Sequence, residues 1–221
     1  MSIKRISMDP RDRVEAAHQA AQRAGRGDVT PEPYTEPGWM DQPSEVPTQE
    51  GWTRAIPSRL SWAWTTDFTA PVAAELDDWS ASPRGRNLVV FGPLGVGKSH
   101  AAVAACRAGY ERGMETVFLP AVELFELLRP GGPDGTLWDL MAVDHLVLDD
   151  LGAERPTGWT VERLYALINR RWLEERPTIV TTNLELPDLE EAIRPDTYSR
   201  LVGSGAVLLR LAGNDRRMVA P

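Results

Sequence analysis

The chain is poor in cysteine and lysine and has no long apolar run. Cys106 is its single cysteine, which excludes an intramolecular disulfide framework and, with no cluster of other ligands around it, a cysteine-rich zinc site. A reducing compartment fits. No apolar stretch approaches the roughly 18 residues that a membrane span needs. The N-terminal "MSIKRISMDPRDR" also lacks the apolar core of a signal peptide, so the chain is expected to be soluble and cytoplasmic. The formal net charge of −8 excludes a global basic field, and any attraction to nucleic acid must come from a local or assembled surface. Of the 24 basic residues only Lys4 and Lys98 are lysine. Where any cation would serve, this chain uses arginine.

What is present divides into two parts. At 221 residues with 42% hydrophobic content, the chain has enough for one globular core and an appended segment. We place the boundary at residues 52 and 53. In the first part, Asp9 and Pro10 suit a helix start, and "RDRVEAAHQAAQRA" reads as a weakly apolar helix closed by Gly25. Residues 26–51 carry five prolines among many polar residues, which predicts a short, mostly flexible extension. Trp39 within this stretch and Trp52 at its edge are either anchors for a partner or fold back on the core.

From residue 71 onward strands and helices alternate. "NLVVF", "ETVFLP", "DHLVLDD", "PTIVTTN" and "GAVLLRL" read as buried strands. "VAAELDDWS", "SHAAVAACRAGYERG", "AVELFELLR" and "TVERLYALINRRWLEE" read as the helices between them. Five such strands separated by helices predict an α/β three-layer sandwich around a parallel sheet.

Between the first strand and its helix lies "GPLGVGKSH": Gly92, Pro93, Leu94, Gly95, Val96, Gly97, Lys98, Ser99 and His100. Gly92, Gly97, Lys98 and Ser99 match the pattern GxxxxGK followed by Ser or Thr. The glycine-rich turn lets backbone N–H groups surround a nucleotide's phosphates. A lysine kept at position 98 in an arginine-preferring chain is what a compact ammonium among phosphate oxygens requires, because a planar guanidinium would not fit there. Ser99 would bind Mg²⁺ through its hydroxyl. The alternative is a glycine turn that caps a helix beside a solvated lysine.

Asp149 and Asp150 follow the apolar run "LVL", at the strand end where open α/β sheets bind ligands. Asp149 suits a Mg²⁺ site, and Asp150 suits a group that orients or deprotonates the attacking water. Glu154 is the next candidate for that base. A structural reading, in which the two aspartates cap a loop, competes. Asn183 ends the β-branched "TIVTTN" strand, either beside the γ-phosphate and lytic water or as an ordinary turn residue.

Together with "YSRLVGSGAVLLRL" and "GNDRR", these segments resemble the AAA+ ATPases of the DnaC/IstB type, over about residues 55–217. These are replicative helicase loaders of bacteria and phages and their transposon-borne relatives. The resemblance implies a P-loop NTPase core of strand order 5-1-4-3-2 without a C-terminal lid domain. It also implies ATP and Mg²⁺ as cofactors, self-association, and partners in a replicative DNA helicase and single-stranded DNA. By position Asn183 resembles sensor 1. Arg200 resembles the arginine finger that completes a neighbour's site, with Arg194 as its nearest competitor, and Arg216 resembles a sensor 2 residue with Arg217 beside it. Many AAA+ enzymes carry glutamate where Asp150 stands, so slow turnover is expected. Two other functions share these residues: an IstB-type transposition ATPase, and a small-molecule P-loop kinase, although neither an arginine-bearing lid nor an acceptor pocket is evident.

Overall fold

The computed structural model describes residues 57–129, 135–153, 158–203 and 205–216. The expected N-terminal helix and proline-rich extension, with Trp39 and Trp52, lie outside the described residues, as do Glu154 and Arg217.

Five parallel strands form one sheet: β1 Leu88–Phe91, β2 Thr116–Pro120, β3 His145–Asp149, β4 Thr178–Thr182 and β5 Val207–Arg210. Their order is β2-β3-β4-β1-β5, the order that the resemblance implied. β1 is flanked on both sides, with Val90 opposite Thr181 of β4 and Leu209 of β5. All four of its residues are buried, which is why it reads as an unbroken apolar run without alternation. After β1 the chain crosses to the far edge at β2 and returns through β3 to β4. The carboxyl ends of β1, β4 and β3 are thereby neighbours around a topological switch point.

One face of the sheet packs against two helices, α1 Ala70–Ala81 and α2 Lys98–Glu111, and buried residues of the other face include Val89, Leu146, Leu148 and Val180. Leu76 and Trp79 of α1 and Ala101, Ala102, Ala105 and Cys106 of α2 pack on Leu88, Val90, Val147, Ile179 and Leu209. The small side chains of α2 let its backbone lie close to the strands. Burial pushes the Cys106 thiol up to about 12, so it behaves as an inert apolar filler.

The remaining helices are α3 Ala121–Leu127, α4 Thr136–Ala142, α5 Gly158–Leu173, α6 Leu186–Ile193 and α7 Pro195–Val202. The sequence pattern anticipates α3 and α5 but not α4, α6 and α7. These last are seven or eight residues long, too short to persist alone, and they hold through packing. One staple of that packing is Arg171 of α5, which is fully buried. It donates to the backbone carbonyls of Leu140 at 2.9 Å, Val143 at 2.8 Å and Pro177 at 2.6 Å. It thereby ties the end of α4 to the segment leading into β4. Among the described residues no helix is long and apolar enough to cross a membrane.

Candidate active site

The loop after β1 owes its shape to glycine. Gly95 has φ 75° and Gly97 φ 101°, in the left-handed region where a side chain is strained. A Cβ on Gly95 would also stand 1.8 Å from the Asp215 carboxylate. The strip that leaves β5 therefore lies directly on this loop, and Arg216 donates its backbone N–H to the Gly95 carbonyl at 2.9 Å. Gly97 caps α2 without a side-chain hydrogen bond, so the loop presents backbone N–H groups and the positive end of a 14-residue helix. The Lys98 ammonium donates to the carbonyls of Gly92 at 2.9 Å and Pro93 at 2.6 Å, which folds it back over the loop.

Across the switch point, β3 and β4 supply a hydrogen-bonded polar chain. The Thr181 hydroxyl donates to Asp149 Oδ1 at 2.6 Å and accepts the backbone N–H of Asp150 at 2.9 Å. Asp150 takes a left-handed conformation, φ 60°, that only a local constraint sustains. The backbone N–H of Leu151 supplies part of that constraint by donating to the Thr181 carbonyl at 2.8 Å. The Asn183 side-chain amide donates to Asp150 Oδ1. Asn183 Oδ1 is buried and has no hydrogen-bond partner among the described residues, which leaves an acceptor facing the site that a ligand's donor could use.

Both groups line one cleft of about 1410 Å³. It brings together Leu94, Gly95, Gly97, Lys98, Ser99, His100, Asp149, Asp150, Asn183 and Arg216 of the residues expected from the sequence. Val96 instead turns into the core, and Gly92 and Pro93 act through the carbonyls that receive Lys98. Arg200 is elsewhere. On α7 it donates to Asn169 at 2.6 Å, to the Asp196 carbonyl at 2.8 Å and to the Tyr165 hydroxyl at 3.2 Å, which binds α7 to α5. Arg194 is half-exposed and pairs with Asp196 at 2.7 Å.

Sequence reasoning missed Thr181 as the link between the two aspartates, and it missed Asp67. The His100 ring meets Asp67 Oδ2 at 2.7 Å, and the Trp62 ring lies 4.5 Å from it. Asp67 also accepts the Trp64 backbone N–H at 2.8 Å. The hydrogen bond from His100, then that from Trp64, hold the Asp67 carboxyl below its ordinary range. No spacing rule connects Asp67 to the loop, because 33 residues separate it from His100.

Among the described residues no group of three His, Cys, Asp or Glu side chains could hold a metal alone. A hard cation here would rest on Asp149 and Ser99, with phosphate oxygens and water completing its shell. That donor set suits Mg²⁺.

The fold and this cleft define a P-loop NTPase. The chain belongs to the IstB-like ATP binding protein family, which it matches over residues 58–210. It is 30% identical over 139 residues to the ATP-binding protein of insertion sequence IS5376 from Geobacillus stearothermophilus, covering 58% of this chain and 55% of that one. It is 26% identical over 150 residues to the replicative helicase loader DnaI of Bacillus subtilis, covering 65% and 45%. The chain thus spans about half the length of these curated relatives. The crystal structure of the DnaC helicase loader superposes with a TM-score of 0.62 at 26% identity, over 70% of this chain and 99% of that one. That of DnaI superposes with a TM-score of 0.64 at 22% identity, over 73% and 94%, a likeness of fold.

Proposed function

We propose that the chain is a Mg²⁺-dependent ATPase that works as a replicative helicase loader. The observation that carries the ATPase reading is the hydrogen-bonded chain Asp149–Thr181–Asp150–Asn183 facing the glycine-rich loop across one cleft.

The residues fit the nucleotide. Loop N–H groups, the α2 dipole and Lys98 would hold the phosphates, and Ser99 and Asp149 would hold Mg²⁺. The metal, when bound, neutralises charge on the phosphate oxygens. Asp150 orients the attacking water and accepts its proton, and the Asn183 amide fixes the carboxylate in that task. Phosphoryl transfer asks mainly for positioning and charge stabilisation, which preset hydrogen bonds provide. An aspartate base, shorter than glutamate, suits slow turnover.

Residues 1–52 are proposed to dock on the helicase, with the core, residues 53–221, assembling on single-stranded DNA through Arg200. Any DNA contact would be steeply salt-dependent, since an acidic chain offers phosphates only a local basic surface. The match to an insertion-sequence ATP-binding protein at 30% identity favours a second reading, an IstB-type ATPase acting in transposition.

Lys98→Ala is expected to abolish ATP binding, and unchanged affinity and turnover would sink the nucleotide assignment. Co-purification with a hexameric helicase separates the two partner readings. Deleting residues 1–52 is expected to leave nucleotide binding intact and remove helicase association. A truncated chain that still retains the helicase would place that contact in the core.

A further inference from the structure

The cleft has two ends, and the sheet order tells them apart. Asp149, Thr181 and Asn183 stand at the tips of β3 and β4, on one side of β1. On the other side of β1 lies β5, whose trailing strip brings Arg216 onto the glycine-rich loop. The Arg216 guanidinium lies 5.1 Å from the centre of the Phe68 ring, so Asp67 and Phe68 belong to the β5 side. A nucleoside triphosphate with its terminal phosphate toward Asp149 and Asn183 must send its base the other way, toward Asp67, His100, Trp62 and Arg216.

That end is built for a flat, polar-edged group. Trp62 lines the cleft and is 61% exposed, an aromatic face on the first turn of α2. Asp67 also lines it, and among the described residues both of its hydrogen bonds, from His100 and from Trp64, fall on Oδ2. The lone pairs of Oδ1 are spent on neither. The segment that leads into the Thr65–Asp67 turn is held as well, because Arg107 donates to the Ala63 and Ser61 carbonyls at 2.6 and 2.5 Å and lies over the Trp64 ring. The carboxylate is thus fixed in place before any ligand arrives.

Resting on the nucleotide reading above, we propose that Asp67 is the residue that selects the base: its Oδ1 accepts a hydrogen bond from the 6-amino group of adenine, with Trp62 as the stacking face. Guanine presents a carbonyl oxygen at that position, and two acceptors facing each other repel. An ionised carboxylate discriminates more sharply than a neutral acceptor, because its hydrogen bonds are stronger and its repulsion of a carbonyl is larger. The depressed pKa of Asp67 is consistent with this, since the group stays ionised at neutral pH.

The test is competition of ATP, GTP and the triphosphate of unsubstituted purine riboside against a fluorescent ADP analogue, on the full chain with Mg²⁺. Wild type is expected to bind ATP on the order of tenfold to a hundredfold more tightly than either competitor, the range of one charge-assisted hydrogen bond. Asp67→Asn, whose amide can face an amino group or a carbonyl, is expected to bring ATP and GTP within about threefold of each other. Equal binding of all three by the wild type would overturn the proposal without needing any variant to fold. A preference for ATP that survives intact in Asp67→Asn would overturn it as well. Either result leaves the nucleotide reading standing, whereas failure of the wild type to bind any of the three triphosphates overturns both.

Discussion

The side-chain amide of Asn183 donates to the carboxylate of Asp150, so the tip of β4 orients the residue that follows β3. This contact ties together two groups that the sequence presents as separate signals, and it gives Asn183 a task beyond touching the phosphate. It also offers a reason for the left-handed backbone at Asp150, since the Thr181 hydroxyl and the Asn183 amide take up its N–H and its carboxylate.

Asp150→Asn is therefore expected to keep ATP affinity within about twofold while lowering kcat by roughly a hundredfold or more, the usual scale of a lost general base. Asn183→Ala should lower kcat by about tenfold or more through the misplaced carboxylate. Because the two act as a unit, the double variant should be little worse than Asp150→Asn alone. Additive losses would mean that Asn183 works independently. Single-turnover hydrolysis alongside equilibrium ATP binding separates these outcomes.

Arg200 is anchored within its own chain. Its guanidinium also lies over the rings of Tyr165 at 4.9 Å and Trp172 at 5.7 Å, in addition to its three hydrogen-bond partners. Arg200→Ala is expected to cost about 1–3 kcal/mol of stability by loosening α7 from α5, and also to lower any hydrolysis that depends on neighbouring subunits. Arg194→Ala, whose side chain is half-exposed, should leave the melting temperature within about a degree or two. If Arg194→Ala alone removes the concentration-dependent part of hydrolysis while Arg200→Ala only lowers stability, the finger is Arg194. Melting curves and ATPase rates over a range of protein concentration decide between them.

The pH response should carry the mark of His145. The residue is 2% exposed. Burial, the largest cause, opposed by Asp144 and aided by Arg171 and Arg112, holds its pKa at about 4 instead of 6.5. The folded state therefore refuses a proton that the unfolded chain accepts. The associated stability is complete above pH 6.5 and is lost as pH falls from there through 4. The total is about 3 kcal/mol at 1.36 kcal/mol per pH unit. Denaturant midpoints measured across this window should fall with pH in the wild type and fall less steeply in His145→Leu. Equal slopes would remove His145 from the acid response.

The conformation of the glycine-rich loop was legible in the sequence because it depends on contiguous residues. Gly92 to Ser99 are a local conformation, a backbone turn and a helix start, and a buried parallel strand such as Leu88–Phe91 announces itself by a run of apolar residues. The alternation of strands and helices likewise defined the class of fold, since each element needs a cover and its neighbours in sequence supply it. The order of the strands is not local. Placing β4 between β1 and β3 depends on which surfaces pack best in three dimensions, and only that placement brings Asn183 to Asp150 and Thr181 to Asp149. The same holds for Asp67, for Arg216 on the Gly95 loop and for Arg200 bound to α5. Each is a polar group whose partner lies 30 or more residues away, 33 for Asp67 with His100 and 31 for Arg200 with Asn169. No periodicity encodes such pairs, because they form only after the apolar faces have packed and closed the distance.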